Sequence, residues 1–184
     1  MADISKDAEH KMRSAIEFAK EDFATIRTGR ATPALFNKLT ADYYGTPTPL
    51  QQLASFQSPE PRMMLITPFD RSSMAAIEKA IRDSDLGVNP SNDGNSIRIV
   101  LPQLTEERRK EFIKLARHKA EDARIAIRNC RRHAIDGIKK LEKNKEIGED
   151  EAVRAEKALD TTTKKYVDQV DELLKAKEVE IMEI

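Results

Sequence analysis

The stretch that decides the fold is LTEERRKEFIKLARHKAEDARIAIRNCRRHAIDGIKKLEK, residues 104–143. Apolar side chains recur through it at Phe112, Ala116, Ala123, Ile127, Cys130, Ala134, Ile138 and Leu141, at the three- and four-residue steps of a helix. Thr105 stands as N-cap, with Glu106 and Glu107 in the first turn, where carboxylates favour the positive helix end. The spacing predicts one helix over residues 105–146, roughly 60 Å long. A single apolar stripe on so long a helix needs partners to bury it.

Two other segments carry the same period. Residues 1–27 repeat it with Ile4, Ala8, Met12, Ile16, Ala19, Phe23 and Ile26, and residues 149–182 with Ala152, Ala155, Leu159, Tyr166, Val170, Leu173 and Ile181. Three long amphipathic helices with comparable stripes imply a three-helix bundle with coiled-coil-like packing. Gly148 is expected to separate the second helix from the third, and a turn that short makes those two antiparallel neighbours. The first helix is expected to end at RTGRATP, with Gly29 as terminator and Pro33 unable to continue it.

Residues 31–104 have a different texture. Prolines crowd into it in turn-like company (YGTPTP, QSPEP, NPSNDGN), between the β-type runs KLTADYY, RMMLITPF and SIRIVL. RSSMAAIEKAIRDSD reads as one short helix capped by Ser72 or Ser73. The expected fold is therefore α+β: a long three-helix bundle from residues 1–30 and 105–184, with a small β/α/β domain of residues 31–104 inserted into it. The two connections, near residues 30–31 and 102–104, would form a double hinge.

The chain of 184 residues has 32 basic and 32 acidic side chains, no Trp and one cysteine. That excludes an internal disulfide framework. The opening MADISKDAEHKMRSAIEF lacks the apolar core of a secretory leader, and no run approaches membrane-spanning length, so a cytoplasmic location without membrane contact is expected. Neutrality conceals an asymmetry. Residues 105–147 hold 14 basic and 8 acidic side chains, whereas residues 148–184 hold 6 and 11.

With Phe112 as the origin of a helical wheel, the apolar stripe covers about 0 to 80° and Arg117, Arg124, Arg128, Arg131 and Arg132 fall at about 100 to 200°. Solvated i to i+4 pairs, Arg117 with Glu121 and Arg132 with Asp136, are one account of this ridge. The other is a surface for phosphate. Arginine dominates where lysine would serve solubility, and Arg124, Arg128 and Arg131 are read as unpaired. A guanidinium offers phosphate a planar fork of donors and also stacks on bases, which makes RNA a candidate ligand. Catalytic chemistry has little support. His10, His118 and His133 are scattered, Cys130 lies on the apolar stripe as a structural thiol, and no phosphate loop or nucleophile elbow occurs. No enzyme, metal or cofactor is expected; a hydrolase in the inserted domain would rest on its polar loops alone.

Several segments together resemble the ribosome recycling factor family: IRTGRATPAL (26–35), YYGTPTPLQQLAS (43–55), FDRSSMAAIEKAI (69–81), SDLGVNPSNDGNSIRIVLPQLTEERRKE (84–111), ARIAIRNCRRHAIDGIKKLEK (123–143) and EIGEDE (146–151). Cys130 stands where an aliphatic residue is more usual. The resemblance implies an L-shaped, two-domain monomer. It would bind the post-termination bacterial ribosome through large-subunit ribosomal RNA and, with elongation factor G and GTP, split it into subunits and release messenger RNA. It also implies RNA contacts at Arg27, Arg128 and Arg131, with Arg132 adjacent, and a hinge at Gly29, Arg30 and Ala31 with Pro102, Gln103, Leu104 and Thr105. Without the resemblance, a helical adaptor or chaperone that binds an acidic protein would fit the same arginine ridge.

Overall fold

The computed structural model describes residues 2–183. Its helices are α1 (Ala2–Ala24), α2 (Leu50–Leu53), α3 (Met74–Arg82), α4 (Glu106–Lys143) and α5 (Glu149–Met182). Its strands are β1 (Thr40–Tyr43), β2 (Thr46–Pro49), β3 (Ala54–Glu60), β4 (Met63–Pro68), β5 (Ser91–Asn92) and β6 (Ile97–Val100). The chain divides into two compact units: residues up to Phe23 with Lys114–Glu178, and Ala24–Ile113 with the segment from Val179. The limits drawn from the sequence at 30/31 and 104/105 thus fall inside the second unit. The α+β class is as expected: long helices and a small sheet.

In the first unit the predicted stripes are the buried faces. Ala8, Met12, Ile16, Ala19 and Phe23 are buried on α1, and Ala116, Ala120, Ala123, Ile127, Ala134 and Ile138 on α4. Ala152, Leu159, Tyr166 and Val170 supply the third face from α5. Ile4, Cys130, Leu141, Ala155 and Leu173 of those stripes are only half-buried. Four of the six buried α4 residues are alanines, which lets neighbouring backbones approach closely. Gly137 extends that property: a Cβ there would lie 3.2 Å from Ile4 Cδ1. Polar ties flank the core. Tyr166 Oη donates to Glu9 Oε1 at 3.0 Å, and Lys119 Nζ lies 2.8 Å from Asp22 Oδ1.

Three helix ends differ from expectation. α1 stops at Ala24, before Gly29. Gly29 is absent from the left-handed residues, so it is not a left-handed C-cap. Its lack of a side chain matters because Glu183 O would sit 3.3 Å from a Cβ. The chain leaves α1 early because Ile26, Arg27 and Thr28 are all buried in the second unit. α4 ends at Lys143, short of the expected limit at residue 146; Gly148 lies between α4 and α5 as expected, and the left-handed residue of that turn is Lys145, at φ 60°. The start of α4 is as expected, with Arg108 N donating to Thr105 Oγ1 at 3.2 Å. α3 is preceded by a 3₁₀ turn, Arg71–Ser73, capped by Asp70, whose Oδ1 accepts from Ser72 N at 2.9 Å; Ser73 stands at the N-cap of α3 as expected but makes no side-chain capping bond.

The second unit holds an antiparallel sheet in the order β3-β4-β6-β5 and a separate hairpin, β1-β2. Met64, Ile66, Ile97 and Ile99 of the central strands pack with Ile77 and Ile81 of α3, and with Phe36 and Leu50, in one fully buried cluster. The runs read from the sequence are β1, β4 and β6. β2, β3 and β5 escaped that reading because they lack alternation: β2 is Thr-Pro-Thr-Pro, β3 buries only Ala54, and both β5 residues are exposed. β3 and β5 lie at the sheet edges, where one-sided hydrogen bonding tolerates such sequences.

Candidate nucleic-acid interface

The arginines of α4 do not form a uniform free ridge. Arg117, Arg124 and Arg131 recur every seventh residue, on the side of α4 that adjoins α5, and each meets a carboxylate of α5. Arg117 Nε donates to Glu178 Oε1 at 2.7 Å, and Arg131 Nε to Asp160 Oδ1 at 2.6 Å. Arg124 is held from every nitrogen: Nε and Nη2 donate to Asp171 Oδ1 at 2.9 and 2.6 Å, and Nη1 to Glu121 Oε2 at 3.0 Å. The reading of Arg124 and Arg131 as unpaired is therefore corrected. Glu121 lies three residues before Arg124 on the same helix, and the α5 partners are brought in by the antiparallel packing.

The expected local pairs also change. Arg117 selects Glu178 instead of Glu121, and Arg132 Nη2 bonds Asn129 Oδ1 instead of Asp136. Arg128 reaches Glu121 only at 3.5 Å.

The five side chains thus sort by availability. Arg124 is 19% exposed. Burial opposes its charge, and the bonds to Asp171 and Glu121 overcome that and raise its pKa above the ordinary guanidinium value. It ties two helices together. Arg117 and Arg131 are engaged at Nε, and their terminal amino groups are not used by any contact described above. Arg128 and Arg132 are exposed, Arg128 with a carboxylate only at 3.5 Å and Arg132 with a neutral partner, Asn129. A phosphate needs such uncommitted guanidinium edges, so Arg117, Arg128, Arg131 and Arg132 form the accessible cationic surface.

Arg27 has a different setting. It is 7% exposed, and it lies in the second unit. Nη2 donates to Pro102 O at 2.6 Å and Nη1 to Leu86 O at 3.4 Å, while Nε is buried without a partner. Burial, and then the nearby charge of Arg108, pull its pKa below the ordinary value. In this conformation it serves the backbone and presents no fork to solvent.

The expected hinge residues lie close to it along the chain on one side, and on the other follow from its partner Pro102. Ala31 and Leu104 are buried, Gly29 and Arg30 are more open, and Ala31 N donates to Pro61 O at 2.7 Å. Pro102, Gln103 and Thr105 are exposed. Arg27 joins the outgoing strand of the connection to the returning one through Pro102.

Cys130 is half-buried beside Lys11, Asp7 and His133, and burial raises its thiol pKa, which disfavours a nucleophilic thiolate. Among the described residues no group of three or more His, Cys, Asp and Glu could hold a metal, and no helix is long and apolar enough to cross a membrane. Sequence reading missed the α5 carboxylates. Their signal was present: Asp160, Asp171 and Glu178 are eleven and seven residues apart, which places them on one helix face.

A bundle of long helices interrupted by a small sheet unit, with exposed arginines on one helix, defines an α+β protein with a cationic surface. The chain belongs to the ribosome recycling factor family, whose pattern it matches over residues 19–182. It is 68% identical over 184 residues to the ribosome-recycling factor of Cutibacterium acnes, covering all of both chains. With that of Streptomyces coelicolor it shares 64% identity over 178 residues, covering 97% of this chain and 96% of the relative. The solution structure of a ribosome recycling factor superposes with a TM-score of 0.78 at 43% identity, covering 100% of this chain and 97% of that one. The T. thermophilus factor, described with E. coli elongation factor G bound to the E. coli post-termination complex, gives 0.69 at 43% identity, covering 99% and 98%.

Proposed function

We propose that this protein recycles ribosomes after translation termination in the cytoplasm. It binds the post-termination ribosome as a monomer through large-subunit ribosomal RNA. With elongation factor G and GTP it then separates the subunits and frees the messenger RNA. The chain itself hydrolyses nothing: it supplies a rigid grip, and the partner supplies the GTP chemistry. Family membership supports the process, and the open guanidinium edge of Arg131 carries the reading of the surface. Arg128 and Arg132 extend that surface, Arg117 continues it, and Arg124 supports it from within. Gly29, Arg30 and Ala31, with Pro102, Gln103, Leu104 and Thr105, form the two strands on which the smaller domain turns, and Arg27 holds those strands in register.

The test is cosedimentation with bacterial large ribosomal subunits at fixed salt. Arg131→Ala is expected to weaken binding about tenfold, or ~1.4 kcal/mol. The slope of log affinity against log salt should fall by about one for the lost phosphate contact. Native affinity in that variant would remove the ridge from the mechanism.

A further inference from the structure

We propose that Asp160 is a positioning residue: it holds the Arg131 guanidinium by Nε and so aims the terminal amino edge at an RNA phosphate. The inference rests on the reading of Arg131 as an RNA contact. An arginine carries five N–H donors, and the Asp160 bond at 2.6 Å uses the one on Nε. The other four lie on Nη1 and Nη2, the pair of nitrogens that makes a two-pronged grip on phosphate.

Exposure supports this assignment. The Arg131 side chain is 36% exposed and Asp160 55%, so the pair sits at the surface with water around it. An ion pair in that setting contributes little to folding stability. What it does contribute is orientation. A free arginine side chain has many rotamers to lose on binding, and a carboxylate at Nε removes part of that cost before RNA arrives.

Arg117 and Glu178 repeat the arrangement, again through Nε alone, at 2.7 Å. Arg124 is the contrast, because Asp171 and Glu121 occupy all three of its nitrogens and leave no edge for a ligand. The difference between a supporting and a gripping arginine on α4 is thus which nitrogens the acidic partner takes.

Charge complicates a simple deletion, since removing any carboxylate near RNA strengthens long-range attraction. Two variants that lose the same charge separate the effects. Asp160→Asn retains an oxygen able to accept from Nε, and Asp160→Ala retains none. Binding of the full chain to bacterial large ribosomal subunits, at fixed salt, is the measurement. Asn is expected to bind about two- to tenfold more tightly than Ala, the cost of ordering one long side chain. In an Arg131→Ala background that difference should vanish, and the thermal midpoint of the Ala variant should be no lower than that of the Asn variant, alanine being the better helix former, so lost stability does not account for weaker binding.

Equal binding by Asn and Ala, with Arg131→Ala still weak, would overturn the positioning role and leave the RNA reading intact. A difference that persists without Arg131 would also overturn it, because Asp160 would then act elsewhere. Native binding by Arg131→Ala would overturn both the inference and the reading beneath it.

Discussion

Arg27 illustrates how far one side chain can depart from its setting in the sequence. It follows a helical stripe and adjoins a Thr-Gly-Arg run, so it is legible as a cation at the end of a helix. Its partners, Leu86 O and Pro102 O, are 59 and 75 residues away, and no local pattern names them. Replacing it with Met would keep the stem and leave both carbonyls without their charged donor. Arg27→Met is therefore expected to lower stability by about 2 kcal/mol, read in thermal or denaturant unfolding. A variant as stable as the native chain but defective in ribosome binding would return Arg27 to the set of RNA contacts. Availability is the property that sequence reading could not assign to the α4 arginines, because it depends on which nitrogen each partner occupies.

At the scale of elements, periodicity was sufficient wherever an element has one buried and one wet face. It located α1, α4 and α5, and the central strands β4 and β6, since their side-chain repeat matches their burial. It failed at β2, β3 and β5, whose exposed or proline-containing sequences are strands through backbone pairing with better-patterned neighbours. Inside α4, Gly137 tests how tightly the helices meet. Alanine has a helix propensity about 1 kcal/mol better than glycine. The new Cβ would face Ile4 Cδ1 at 3.2 Å, the tip of a flexible and only half-buried side chain close to the start of α1. Ile4 should move aside, so Gly137→Ala is expected to raise stability by about 0.5 kcal/mol and lift the thermal midpoint. A lower midpoint would show that Ile4 is pinned and that the close approach requires glycine.

For the whole molecule, the proposed mechanism needs a grip and a moving part to be separable. A covalent cross-link that ties residues 31–104 to the long helices is expected to preserve large-subunit binding while stopping subunit separation, followed by light scattering with elongation factor G and GTP. Full separation by the cross-linked protein would eliminate hinge motion from the mechanism. The sequence by itself determined the helical stripes, the inserted segment of different texture, the crowding of arginines on one helix and the family. Each of these is written in local spacing or in motif order, which the chain carries whether folded or not. Only the tertiary structure decided where α1 releases the chain, that Arg27 is buried, and that Arg124 is consumed while Arg131 keeps an open edge. Those outcomes depend on side chains from distant parts of the chain meeting within hydrogen-bond distance. Such meetings arise from packing, and their range of about 3 Å is too short for sequence spacing to specify.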